Sequence, residues 1–259
     1  GQLSNFSSEQ IAAMTTAEVA ALTRTQVGSI TGAQAEGLGT AHVAAISTAN
    51  ISALGTAAVA ALSTDVIESM DTAQYRALTS TQLASFGTAQ IAAIETADLA
   101  QLNTVQLRAL GTAAIAAMTS DQIEALGTAQ VTGLTVAQVA ALTTEQITHM
   151  ETADVRALNT AQVNTFNTAQ VAAIETTDIQ ALNTASVRAL TTAAVNVLTT
   201  DQITALNTAQ MAALSTTQVG ALNTNQIGAI ETTDLAAMST AQVAVFNTAQ
   251  TVALSTAQI

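Results

Sequence analysis

The 259-residue sequence predicts an all-α solenoid of very short capped helices, one per octapeptide, with about 3.3 octads per superhelical turn. Three observations carry that reading: an unbroken period of eight, apolar residues three apart within each octad, and a slower period of eighty laid over the first. The residues leave one alternative open, a β-solenoid.

The period of eight appears when the chain is cut after each large apolar residue, giving STAQVAVF, NTAQTVAL, TTDQITAL and GTAAIAAM. It holds from Ser7 to Ile259 without insertion or deletion, about thirty-two copies of x-Thr-Ala-Gln-Val-x-Ala-Leu. Octad positions are numbered one to eight from that first x. Position two is Thr or Ser except at Arg24, Gly32 and Val136, and position eight is always Leu, Ile, Met or Phe. Position five is apolar except at Thr251, with Ala35 and Tyr75 as unusual sizes, and position seven is small. Residues 1–259 therefore read as a single uninterrupted array. Gly1 stands at position three and Ile259 at position five, so the expectation is an excerpt of a longer array, or a subunit whose ends are covered by neighbours.

Within an octad, positions five and eight are i, i+3 and share one helical face. A single continuous helix is excluded, because eight residues advance that face by about 80° per octad and the stripe would wind around the rod. Thr at position two is expected to be the N-cap of each helix. Gly or Asn at position one (Gly39, Gly55, Gly87, Asn159, Asn207, Asn247) is expected in the left-handed conformation that ends a helix. In the strand alternative, positions three, five and seven alternate inward. The β-branched residues at position five suit it, whereas the many Ala and the Leu at position eight do not. The Gln column reads either as amide ladders between coils or as exposed helix filler.

The slower period is carried by Phe6, Phe86, Phe166 and Phe246, each eighty residues from the next, and by pairs such as Arg76/Arg156 and Asp121/Asp201. Ten octads closing in three turns place about 27 residues in a coil. Ordered around such a coil, the octads of Glu9, Asp71, Glu95, Asp121 and Glu145 become neighbours on one flank, and the flank with the Phe octads is nearly neutral.

Composition narrows the function classes. Net charge is −13, with five Arg, no Lys, no Cys and no Pro, so a phosphate backbone finds no basic stripe and nucleic acid is a poor partner. No 18-residue apolar run exists, so no membrane insertion is expected. No nucleophile triad, P-loop or zinc-protease motif occurs; with every octad repeated, no non-repeated catalytic constellation stands out, and the chain reads as no enzyme and without cofactors. The sharpest candidate sites are the Glu-x-x-Asp octads, Glu95/Asp98, Glu151/Asp154, Glu175/Asp178 and Glu231/Asp234, whose paired carboxylates could share a calcium ion. Against this, calcium wants six to eight oxygens, and an acid in the first helical turn also serves as a cap. His42 and His149 are isolated in sequence and read as ordinary packing or surface residues. The Thr column would suit an ice-binding face, though capping demands Thr in the same place.

Octads of the TTAQVAAL type resemble the arrays of very large secreted or surface-displayed bacterial adhesin-like repeat proteins. The resemblance implies an extracellular or cell-surface location and a stalk, fibre or filament role, with a homo-polymer or more of the same array as partner. A binding module, ice-binding or stiffened by calcium, is the second expectation.

Overall fold

The structure, a computed structural model, describes residues 3–259. Among them are a short 3-10 turn, Leu3–Asn5, and thirty-one α-helices of four to six residues, one per octad; no strand occurs. The all-α expectation is met, and the β-solenoid is not what forms.

Each helix is built the same way. In helix Thr160–Asn164 the Val163 N–H donates to Asn159 O (3.0 Å), and the Phe166 N–H donates to Val163 O (3.2 Å). The first bond is α-type and the second spans three residues, so the last turn tightens and uses a carbonyl that would otherwise be orphaned.

Two local expectations are corrected. The N-cap is position one, not the position-two Thr: Asn159, Asn207 and Thr199 accept the N–H of Gln162, Gln210 and Gln202. The reason is spacing, because a capping box sets Gln three residues after the cap, and Gln stands at position four. Nor does position one adopt the left-handed conformation, since no described residue has positive φ. Leu206 (φ −60°, ψ 129°) and Asn207 (φ −81°, ψ 166°) are both extended, and two extended residues suffice to redirect the chain into the next helix.

The chain divides into two compact units, Gly1–Leu134 and Thr135–Ile259. In the first, helix Thr16–Ala20 packs on Thr40–Ala45, and Thr104–Ala109 on Thr128–Gly133. In the second, Thr152–Ala157 packs on Thr176–Ala181, and Thr208–Ala213 on Thr232–Ala237. Every one of these pairs is three octads apart. Hydrogen bonds between octads link residues 25 to 31 apart, as in Asn164 to Ala189 and Gln82 to Ile51. A coil within each unit thus closes between three and four octads, which brackets the spacing expected from the eighty-residue period.

Positions five and eight form the core of both units, Ile91 and Ile94 in the first, Val171 and Ile174 in the second. Position seven, small in most octads, meets position two of the octad three earlier at Gly37 and Gly133. A Cβ on Gly37 would lie 2.1 Å from the Ser8 carbonyl oxygen, and one on Gly133 would lie 2.8 Å from the Thr104 methyl.

Candidate functional site

The polar feature that distinguishes this fold is the column at position four, which sequence reasoning left as ladder or filler. It is neither. Gln82, Gln122, Gln210 and Gln226 are buried, and each carboxamide does two jobs. In Gln210, Oε1 accepts the Asn207 N–H (2.9 Å), while Nε2 donates to Ile179 O (2.8 Å) and Leu182 O (2.6 Å), 31 and 28 residues earlier. In the first unit Gln122 does the same with Thr119 N–H (2.9 Å), Ile91 O (2.8 Å) and Ile94 O (2.7 Å). One side chain therefore caps the start of its own helix and the end of a helix four octads back. An unmet buried carbonyl costs roughly 1–3 kcal/mol, so this column supplies polar closure along the coil stack.

Other residues reproduce the job where Gln is missing. His42 Nδ1 accepts the Gly39 N–H (3.1 Å), which leaves the hydrogen on Nε2, 2.9 Å from Met14 O. The isolated histidine is thus a coil staple, in keeping with a packing role. Asn50 Nδ2 donates to Leu22 O (3.1 Å) and Ser186 Oγ to Leu158 O (3.4 Å), again 28 residues earlier. His149 is exposed at a helix end.

The Glu-x-x-Asp octads depart from the pattern. Asp98, Asp154, Asp178 and Asp234 occupy position four and are 1–4% exposed, whereas Glu95, Glu151, Glu175 and Glu231 at position one face solvent. None of these four helices has a side-chain cap bond at position one, but each Asp stands in the first turn, where the expectation placed an acid. Asp98 accepts the Thr72 hydroxyl (2.5 Å), Asp178 that of Thr152 (2.6 Å) and Asp234 that of Thr208 (2.7 Å). Each Thr lies three octads earlier. Burial raises the Asp178 carboxyl above the ordinary range; the Thr152 hydroxyl pulls it back, and Glu175 adds a further upward push. Among the described residues no three of His, Asp or Glu converge, and the Asp of three of the pairs accepts from a Thr hydroxyl.

Tyr75, flagged only by its size at position five, has a role that sequence reasoning missed. It is fully buried, and its hydroxyl donates to Ile67 O (2.5 Å). Ile67 is 31 residues before Asp98, so Tyr75 serves the carbonyl that a Gln at position 98 would have served. Burial raises its phenol, with the carboxylates of Asp98 and then Glu95 adding to the shift. The signal in the sequence was the coincidence of an odd position-five residue with an Asp at position four three octads later.

Surface side chains at position six tie coils from outside. Asn164 and Asn196 donate to Ala189 O and Ala221 O, both at 2.7 Å, and Arg76 donates to Gln101 Oε1. The acidic octads stack as expected within each unit. Helix Thr96–Leu99 contacts both Thr72–Ala77 and Ser120–Glu124, and Thr176–Ala181 contacts both Thr152–Ala157 and Thr200–Ala205.

Fold and polar network together define a class: a helical solenoid built from octapeptides and held by buried trans-capping side chains. A family model described as the ALTTAQ repeat matches residues 91–128, 123–150, 147–173, 171–208, 203–230 and 227–259. The chain belongs to that tandem-repeat family and is a structural repeat protein. No curated protein matches it at a significant level. Among the described residues no helix is long and apolar enough to cross a membrane.

Proposed function

We propose that this chain is a spacer of an extracellular stalk or fibre, extended by further coils of the same repeat, and that it has no catalytic role. One observation carries the reading. Within each unit helices three octads apart pack on one another, with positions five and eight buried, so each coil offers the next the face by which the one before took it. The contact is heterologous and propagates instead of closing. Negative-stain microscopy with light scattering over a salt series tests it. Thin filaments that lengthen with concentration are expected, with sideways bundling resisted at low salt by the acidic flank. A monodisperse monomer at every salt and concentration removes the filament and leaves a spacer alone.

A second reading, ice binding, is favoured by one finding: the position-two Thr residues are relieved of capping, and most, such as Thr88, Thr160 and Thr168, are exposed. Thermal hysteresis measures it, and its absence at millimolar concentration ends it.

A further inference from the structure

Position four donates to the coil beneath wherever it is Gln, His, Asn or Ser in the bonds described above, and the Asp octads break that rule. A charged carboxylate has no hydrogen to give. The carbonyls 31 and 28 residues earlier are Ile67 and Met70 for Asp98, Ile147 and Met150 for Asp178, and Ile203 and Leu206 for Asp234. They receive no hydrogen from position four while the acid is ionised. Tyr75 covers Ile67, but positions 155 and 211, its counterparts beside Asp178 and Asp234, are Val and Met and carry no hydroxyl. Reach is not the obstacle. Asn50, with a side chain the length of Asp, donates to Leu22 O at 3.1 Å from the same octad position.

We propose that the Glu175/Asp178 octad is an acid-set seam: protonation of the buried Asp178 carboxyl supplies the missing donor to the coil four octads back, and the coil contact tightens as pH falls. The charged groups around each of these Asp residues are few. Asp178 has Glu175 on its own octad, Glu151, Asp154 and Arg156 on the coil before, Asp201 on the coil after, and Glu145 and His149 four octads back. Asp234 has Glu231 beside it and Asp201 four octads back, with no charge on Thr208–Ala213. Asp98 has Glu95, then Asp71 and Arg76, Asp121 and Glu124, and Asp65 and Glu68. Arg76 is directed to Gln101, and acids outnumber bases around all three. At Asp178 burial, and the push of Glu175, favour the neutral acid.

For Asp178 the sign follows from the raised folded-state value. The folded chain holds the proton more tightly than the unfolded one, so the stabilisation is complete below the unfolded carboxyl range and is lost as pH rises through the folded value. Glu9 and Glu18 act oppositely, because their carboxyls are lowered by hydroxyl and backbone N–H partners, which makes the second unit the place to test.

The experiment compares thermal unfolding of the wild type, Asp178→Asn, and the charge-matched Glu175→Gln, from about pH 4.5 to pH 8. The Asn variant is expected to melt several degrees above wild type at the alkaline end, with the gap closing at the acid end. The Gln control removes only the smaller push of Glu175 on Asp178 and should show a small fraction of that closing gap. Infrared titration of the wild type supplies a readout independent of any variant's folding: a protonated buried carboxyl band should persist above the pH at which exposed carboxyls ionise. An Asn variant that melts at or below wild type at pH 8, a matching gap in the control, or absence of that band overturns the proposal.

Discussion

In helix Thr160–Asn164 the cap at position one is the Asn159 side-chain oxygen and Thr160 at position two is exposed, so neighbouring residues of similar chemistry have different weights. Asn159→Ala should cost about 1 kcal/mol, whereas Thr160→Ala should change stability by less than about 0.5 kcal/mol, read from denaturant midpoints. Equal losses would return the cap to position two. Position four is the more demanding site. Gln210→Glu keeps the length needed to accept the Asn207 N–H but cannot donate to Ile179 and Leu182 when ionised. A loss of about 3 kcal/mol at neutral pH is expected, with part of it recovered on acidification. A neutral outcome would mean that those carbonyls find water.

Helices of four to six residues cannot stand alone, since nucleation outweighs the few bonds each one makes. Their persistence comes from contacts three octads away and amide bonds 28–31 residues away, which no short fragment contains. A peptide of residues 199–222, three octads long, should therefore be a coil by circular dichroism. Clear helicity in it would shift the explanation to local propensity. Glycines separate the two faces of the element. Gly220 lies on the exposed side of helix Thr216–Ala221, with no atom within 4 Å of the place an alanine methyl would take, so Gly220→Ala should gain about 0.5–1 kcal/mol. Gly37→Ala places its methyl against the Ser8 carbonyl and should destabilise, a contrast that one set of melting curves can read.

Across the whole molecule, charge works against compactness. Eighteen acids face five Arg, and the acidic octads stack on successive coils within each unit. Stability should therefore rise with sodium chloride between about 10 mM and 500 mM as screening shortens the reach of that repulsion. A melting temperature that does not move would show that the acids are already compensated locally.

The period, the helical state and the inward faces at positions five and eight were legible in the sequence, because all three depend on residues within one octad. Leu158 and Val163 read as core, and both are buried. The acidic stacking was legible too, since the eighty-residue period carried the coil length. The cap register was there to be read in the spacing of position one to Gln, but Thr and Ser at both candidate positions obscured it. What only the tertiary structure decided was the fate of position four. Whether Gln210 is surface filler or a buried staple depends on which carbonyls the chain brings back beside it after 28 and 31 residues, and no local pattern encodes that return. For the same reason Asp178 reads in sequence as a cap or ion ligand, and in the folded coil becomes a buried acid held by Thr152.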